Sequence, residues 1–219
     1  MDKGIEIPAN NINAFVDRPV SRVHKFYITQ NIKESSEYTS WFETIRNAGE
    51  NDIIVFHINS YGGDLFTAIQ FMRVIRETKA AVVASVEGAC MSAATIIFLT
   101  ANHWEVSDHS MFMFHNYSGG SIGKGGEMYD HIAHERVWSD KLLRDVYADF
   151  LTKQEVDSLL NNKDIWMSGD EAVKRLQLKA KKNKGVLKDT QKQQPKPKKK
   201  APKKKPAKKA AAKTPKNKS

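Results

Sequence analysis

The stretch "IIVFHINSYGGDLFTAIQFMRVIRETKAAVVASV", residues 53–86, decides the fold class of this chain. Its first six residues are mostly β-branched or aromatic, which is typical of a short strand covered on both faces. A turn containing Gly62 and Gly63 follows, and apolar residues then recur at helical spacing from Leu65 to Ile75. The last residues form a second apolar run. The predicted unit is strand, glycine loop, helix and strand, which indicates an α/β fold.

Further elements follow this unit. Residues 93–101, "AATIIFLTA", predict a short helix that must be buried, because it is apolar all round. "WEVSD" and "MFMFHN" predict two strands around a turn at residues 108–110. A long amphipathic stretch at residues 127–150 predicts a helix, and it is the best candidate for contact between subunits.

Two capping boxes mark the end of the fold. "TKQE" at residues 152–155 and "SGDE" at residues 168–171 each place a hydroxyl three residues before a glutamate. Helices are therefore expected to begin near Lys153 and Gly169. Between them, "NNKDIWM" at residues 161–167 is expected to be an irregular or extended connector.

The composition is that of a folded protein from a reducing compartment. The chain has 219 residues, 40% of them hydrophobic, which is enough for one sizeable core. No signal pattern precedes the fold, and no apolar run approaches the ~18 residues that span a bilayer. The single cysteine, Cys90, excludes a disulfide framework and a multi-cysteine metal site. We expect a cytoplasmic protein that does not contact membranes.

The positive charge is concentrated at the C-terminus. Residues 188–219 contain fourteen lysines and one aspartate, a charge of +13. The whole chain carries +10, so residues 1–187 carry −3. Self-repulsion and the lack of large apolar side chains predict a disordered tail. Such a tail suits electrostatic attachment to nucleic acid or another polyanion, and a solubilising extension is the equal alternative.

Ser92 poses the functional question. It lies in "ASVEGACMSAATIIFL", residues 84–99, among small side chains. A serine there is either a helix N-cap, the commoner role taken alone, or a nucleophile. A nucleophile needs a base, an orienting acid and donors for the oxyanion. Backbone N–H groups at the start of the helix after Ser92, and at Gly62 and Gly63, are candidate donors.

Four motifs together resemble the Clp protease proteolytic subunit. They are "INSYGG", "EGACMSAAT" with Gly88 at the start of its Gly-x-x-x-Ser segment, "MFMFHN" and "NKDIWMSGDEA", in the order and at spacings similar to those of the family. The resemblance covers roughly residues 26–178. It implies the fold that these peptidases share with crotonases, built of strand-strand-helix units with a long protruding helix.

The resemblance also implies a serine endopeptidase and its site. It makes Ser92 the nucleophile, His115 the base and Asp164 the acid that orients the base. The backbone N–H groups of Gly63 and Ala93 would form the oxyanion hole. No metal and no cofactor are implied. The expected partners are a polypeptide substrate and further copies of the chain in a homo-oligomeric ring.

Three departures from the family pattern suggest a divergent member. Tyr61 replaces the usual proline of the glycine loop. Residues 1–25 form an N-terminal extension without the usual lead-in helix, which makes docking of a Clp-type ATPase doubtful. Residues 179–219 form a Lys/Pro/Ala-rich tail outside the peptidase domain of residues 26–178. These features favour a phage-type head maturation protease, acting in the host cytoplasm or in an assembling capsid.

Two other classes of function remain alternatives. A crotonase-like acyl-CoA enzyme would share the fold and a related glycine-loop oxyanion hole, but it has no use for serine, histidine and aspartate in this order. A non-catalytic scaffold, tethered to nucleic acid by the tail, would be favoured by a missing triad residue, and none is missing. Of the other histidines, His57 is expected to be a hydrogen-bonded core residue, and His131 and His134 to lie on a solvated helix face.

Overall fold

The structure is a computed structural model that describes residues 21–179, and the predicted tail and most of the predicted N-terminal extension lie outside these residues. The described strands form one sheet of six: β1 (Val23–Ile28), β2 (Ile53–Ser60), β3 (Ala81–Met91), β4 (His103–Val106), β5 (Met111–Phe114) and β6 (Ile165–Ser168). The helices are α1 (Thr39–Asn47), preceded by a 3-10 turn (Ser35–Tyr38), α2 (Leu65–Glu77), α3 (Ala93–Thr100), α4 (Gly125–Tyr147), α5 (Lys153–Leu160) and α6, which runs from residue 169 to residue 179. This mixed α/β architecture confirms the predicted fold class.

Strands β1, β2 and β3 are parallel neighbours, with β1 at one edge of the sheet and β3 near its middle. Their burial alternates, so that Ile54, Phe56 and Ile58 are fully buried whereas Ile53 and Tyr27 on the opposite face are exposed. The prediction that the 53–58 strand is covered on both faces is therefore wrong for the described chain. Its apolar composition reflects β propensity on the second face rather than burial.

Strand β3 is longer than predicted and shares one edge between two strands. Its first half pairs with β4 and its last residues pair with β5, both in parallel. The strands β4 and β5 thus flank a turn, as expected, but they are not hydrogen-bonded to each other as a hairpin. The pairing with β5 extends β3 to Met91. It also places the end of β5 beside Ser92, the residue that follows β3.

The core lies between the buried face of the sheet and the helices. An aromatic cluster joins β1 and β2 to α1 and α2, with Phe71 in edge-on contact with Phe42 and Phe56. Each large apolar side chain buried here contributes about 1.5–3 kcal/mol through the hydrophobic effect. Residues 93–99 of α3 are all buried, which confirms the prediction of a buried helix. In the part of the chain that the structure describes, no helix is both long enough and apolar enough to span a bilayer.

The last helices begin where the capping motifs predicted. The Thr152 hydroxyl accepts a hydrogen bond from the backbone N–H of Glu155, whose carboxylate accepts one from the N–H of Thr152, a complete capping box. At α6 only half of the box forms: Ser168 Oγ accepts from the N–H of Glu171, whose carboxylate accepts from Arg175 instead. Part of the predicted connector is β6, which pairs antiparallel with β5.

Candidate active site

Ser92 occupies the sharp turn between β3 and α3. Its backbone has φ 52° and ψ −127°, a conformation that is unfavourable for a residue with a side chain. A hydrogen bond of 2.8 Å from its N–H to the carbonyl oxygen of Met113 in β5 holds it there. Strained strand-to-helix turns of this kind project a side chain away from the backbone, and they occur at nucleophiles in hydrolases.

The hydroxyl of Ser92 contacts a histidine rather than the helix. It makes no capping hydrogen bond to α3. Instead Oγ lies 2.6 Å from Nε2 of His115, the residue that directly follows β5. Of the two roles open to this serine from the sequence, the geometry is that of a hydroxyl paired with a base, not that of an N-cap.

The glycine loop after β2 packs directly against Ser92. Gly62 and Gly63 have φ of 103° and 140°, values that L side chains rarely adopt. A β-carbon on Gly62 would lie 2.6 Å from Cβ of Ser92, and one on Gly63 would overlap the backbone of Ile32. Ile32 holds the loop through hydrogen bonds of 2.7 Å to the carbonyl of Gly62 and 2.8 Å from the N–H of Asp64. Neither glycine can be replaced without moving backbone.

Two backbone N–H groups beside Ser92 are available as donors. The N–H of Gly62 is used by the buried Ser60 hydroxyl at 3.1 Å. Within residues 21–179, the N–H groups of Gly63 and Ala93 donate no hydrogen bond to the protein. Both residues line the same cavity as Ser92 and His115. The arrangement can accommodate an oxyanion formed at a carbonyl attacked by Ser92.

Asp164 directly precedes β6, which pairs with β5. Phe114 is paired with Ile165, so the next positions of the two segments, His115 and Asp164, come opposite one another. The part of the chain that the structure describes contains no hydrogen bond between these two side chains. The structure therefore unites Ser92, His115, Gly63 and Ala93 in one cavity and places Asp164 on the neighbouring segment.

A cavity of about 290 Å³ opens beside Ser92 and His115. Its apolar wall comes from the start of α2 and from α3 and α4, and includes Phe66, Ile96, Trp138 and Leu142. The sequence assigned α4 to contact between subunits and gave no sign that it faces the nucleophile. Helical periodicity identifies an apolar face but not which neighbour that face meets.

Asn59 supports the end of β3, which leads into Ser92, and was not singled out from the sequence. Its Oδ1 accepts a hydrogen bond of 3.0 Å from the N–H of Ala89, where the pairing of β2 and β3 shifts. A β-carbon on Gly88 would lie 2.7 Å from the same oxygen, so any larger residue there would displace the Asn59 side chain and disturb this hydrogen bond. The asparagine of "INSYGG" is the signal that could have identified this contact.

Other chemically competent groups lie away from this geometry. Nδ1 of His57 is 2.6 Å from Oε1 of Glu87, in agreement with the prediction of a hydrogen-bonded histidine, and its buried Nε2 has no partner among the described residues. Cys90 is fully buried, and burial raises the pKa of its thiol, which keeps it protonated. His131 is exposed on α4, and within the described ranges no group of three His, Cys, Asp or Glu side chains could hold a metal ion.

Comparison with known proteins gives one family and no individual relative. No curated protein matches the chain. A family model described as Clp protease matches residues 19–175, which spans every strand of the sheet and the glycine loop, the Ser92 turn and the His115 strand described above. That match covers well over half of the sequence, and by it this chain belongs to the Clp protease family.

Proposed function

We propose that this chain is a serine endopeptidase that cleaves polypeptides through an acyl-enzyme on Ser92. The observation that carries the proposal is the distance of 2.6 Å between Ser92 Oγ and His115 Nε2, at a serine held with positive φ. A strained backbone is maintained only where the surrounding structure enforces it, and such sites are frequently functional. Membership of the Clp protease family supports peptide-bond hydrolysis as the reaction.

Acylation follows from the positions of these groups. Ser92 Oγ attacks the carbonyl carbon of the scissile bond while His115 Nε2 takes the hydroxyl proton. The negative charge that develops on the carbonyl oxygen accepts hydrogen bonds from the free N–H groups of Gly63 and Ala93. The C–N bond then breaks, and His115 donates its proton to the departing amine. The product is an ester on Ser92.

Deacylation reverses these roles with water. His115 takes a proton from a water molecule, which attacks the ester carbonyl, and the same N–H groups bind the oxyanion. The C–O bond to Ser92 breaks, and the proton returns to Ser92 Oγ. We assign to Asp164 the task of accepting a hydrogen bond from the Nδ1–H of His115 and stabilising the imidazolium, supported by its place opposite His115 across β5 and β6.

The alternatives lack a comparable observation. A crotonase-type acyl-CoA enzyme would use the glycine-loop donors but has no need for a hydroxyl bonded to an imidazole. A non-catalytic scaffold has no need for strained backbone at Ser92. Both alternatives predict that Ser92 is unreactive, which is directly testable.

The finer biological setting is also a proposal. We infer a homo-oligomeric ring, since family members typically assemble in this way. The lysine-rich segment of residues 188–219 favours a phage-type prohead protease that works without a Clp-type ATPase, in the host cytoplasm or an assembling capsid. The segment would bind nucleic acid or an acidic scaffold.

Labelling with a fluorophosphonate tests the proposed activity. The full-length protein should be modified at Ser92, as mapped by mass spectrometry, and should hydrolyse unstructured polypeptides. Ser92→Ala should abolish labelling and hydrolysis and leave the circular dichroism spectrum unchanged. Ser40→Ala, at an exposed serine on α1, is the matched control and should label like the wild type. Modification of a different serine, or turnover by Ser92→Ala at the wild-type rate, would refute the proposal.

A further inference from the structure

The cavity beside Ser92 has an acidic group in its wall. Glu135 on α4 lines it, with a side chain that is only 30% exposed, and Asp64 lines it from the glycine loop. Among the described residues that surround this cavity there is no lysine and no arginine. The neighbouring Arg136 lines two other depressions but not this one, although Glu135 also lines one of those two. Asp64 is engaged as the N-cap of α2, where its Oδ1 accepts a hydrogen bond from the N–H of Thr67. Glu135 is therefore the carboxylate that this cavity wall offers to a ligand, and no described lysine or arginine lines the same cavity.

Part of the wall of this cavity is apolar and aromatic. Phe66 and Trp138 stack with ring centroids 5.5 Å apart at an interplanar angle of 26°. Ile96 on α3 and Leu142 on α4 complete this part of the wall. Lysine and arginine side chains bury their methylene stems against such surfaces while their charged ends remain hydrated or form an ion pair. Aromatic faces also attract ammonium and guanidinium groups.

Among the described residues, the carboxylate of Glu135 interacts with Tyr117 and His131 and forms no salt bridge with a lysine or arginine. The Tyr117 hydroxyl interacts with it, and burial, followed by the charge of Glu135, raises the pKa of Tyr117, so this phenol stays a donor. His131 Nε2 lies 3.6 Å from Glu135 Oε1 and is more than half exposed to solvent. In residues 21–179 this histidine is the only salt-bridge partner of Glu135. The carboxylate thus keeps capacity for a further donor.

We propose that this cavity is the specificity pocket of the peptidase and takes a lysine or arginine side chain from the residue on the N-terminal side of the scissile bond. Glu135 pairs with the cation at the end of that side chain, while Phe66 and Trp138 pack on its stem. The inference rests on the proposed function, because it assigns a substrate class to the same site. Its substrates are unstructured polypeptides cleaved after basic residues.

Four fluorogenic peptides that differ only in the residue before the scissile bond test this specificity. With Lys, Arg, Leu or Glu at that position, the wild-type protein should give the highest kcat/KM for Lys and Arg. In Glu135→Gln, the ratio of kcat/KM for Lys over Leu should fall by about tenfold to a hundredfold, because a charge-assisted hydrogen bond is lost. Glu135→Lys should shift the preference toward Glu. Glu127→Gln, at an exposed glutamate on the same helix, should keep the wild-type ratio.

The outcomes separate this inference from the activity itself. Labelling of Ser92 together with a preference for Leu over Lys, or with a ratio that Glu135→Gln does not change, overturns the pocket assignment and leaves the peptidase intact. Absence of both labelling and hydrolysis of every peptide overturns the proposed function and the pocket with it. If Glu135→Gln does not fold, as shown by circular dichroism, the ranking of the four peptides by the wild type decides alone: Lys and Arg first supports the proposal, and Leu or Glu first overturns it.

Discussion

The hydroxyl of Tyr147 lies 2.8 Å from Oγ1 of Thr95, and that oxygen donates a hydrogen bond of 2.6 Å to the carbonyl oxygen of Ser92. Because Thr95 Oγ1 gives its proton to Ser92, the phenol must be the donor in the first contact. Tyr147 is fully buried, and burial is the main cause that raises its pKa to about 12, so it remains a donor at physiological pH. The end of α4 is thereby linked to the strained backbone of Ser92.

Removal of this link should slow catalysis without unfolding the protein. Tyr147→Phe keeps the ring that packs edge-on against Phe114 but leaves the Thr95 hydroxyl without its donor. A lost buried hydrogen bond of this kind costs about 1 kcal/mol, so kcat should fall about fivefold with KM little changed. Thr95→Val should lower the rate of fluorophosphonate labelling, and Thr95→Ser should restore it. An unchanged labelling rate in both Tyr147→Phe and Thr95→Val would show that the contact is only structural.

Gly62→Ala should abolish the site. A methyl group there would lie 2.6 Å from Cβ of Ser92 and would also require an unfavourable positive φ. We expect a stability loss of about 1–3 kcal/mol and at least a hundredfold loss of kcat/KM. Gly120→Ala is the matched control, since nothing lies within 4 Å of its added β-carbon. Thermal melts and peptide hydrolysis measure both effects, and equal activity of the two variants would contradict the packing described here.

Ser92, His115 and Asp164 should act as a unit. Single alanine substitutions are expected to lower kcat by several orders of magnitude each, and the double and triple variants should be little worse than the single ones. His57→Ala is the control, because His57 pairs with Glu87 outside the cavity. A damaging His57→Ala combined with a silent His115→Ala would show that the base is wrongly assigned. A silent Asp164→Ala would remove the aspartate alone from the proposal.

Glu155 should make stability depend on acid pH. The hydrogen bonds from Arg175, reinforced by those of Thr152, lower the pKa of Glu155 to about 2. In the unfolded chain the pKa of this carboxyl is near its ordinary value of 4.5, so its contribution is complete above that pH and is lost as the pH falls toward 2. After allowance for its partial exposure we expect about 1–2 kcal/mol.

Urea unfolding of the wild type and Glu155→Gln at several pH values measures this contribution. The difference in free energy of unfolding should be largest above pH 5 and should shrink as the pH is lowered. Glu43→Gln, at an exposed glutamate, should show a much smaller difference. A difference between wild type and Glu155→Gln that is independent of pH would mean that packing, not charge, is what Glu155 contributes.

Deletion of residues 188–219 should remove binding to polyanions and spare the chemistry. These residues lie beyond the described fold, and they carry +13 against −3 for the rest of the chain. Affinity of the full chain for DNA should fall steeply between about 50 and 200 mM salt, since it rests on counterion release. Cleavage of small peptides should be unchanged in the shortened protein. Equal and salt-insensitive DNA binding by both proteins would leave the tail as a solubilising extension.

Local sequence patterns predicted the elements of the fold well. Buried runs, the glycine loop and the capping boxes depend on neighbouring residues, so the α/β class and the starts of α5 and α6 could be recognised. Pairing could not be recognised in this way. The attachment of β4 and β5 to the same edge of β3, and the strand within the supposed connector, depend on partners distant in sequence.

The candidate site also contains parts that local motifs predict and parts that depend on contacts distant in sequence. The roles of Ser92, His115 and the loop glycines came from motifs, and the motifs carried no information on what surrounds them. The residues Glu135, Trp138 and Tyr147 line the cavity because α4 packs beside it. The hydrophobic periodicity of the sequence does not predict which element α4 packs against. Asp164 came from the motif as well, and its position opposite His115 depends on β6, which the sequence did not predict as a strand.

The hydrogen bond from the Ser92 N–H to Met113 has a mechanical consequence. Strand β5 leads directly into His115, whose imidazole contacts the Ser92 hydroxyl. The same strand also holds the backbone of Ser92, through the carbonyl of Met113, two positions before His115. A slip of β5 by one residue would release the serine amide and turn the imidazole to the opposite side of the sheet in the same movement. The backbone of Ser92 and the segment that carries His115 therefore shift together, and with respect to such a movement the pair behaves as a single part that is either engaged or withdrawn.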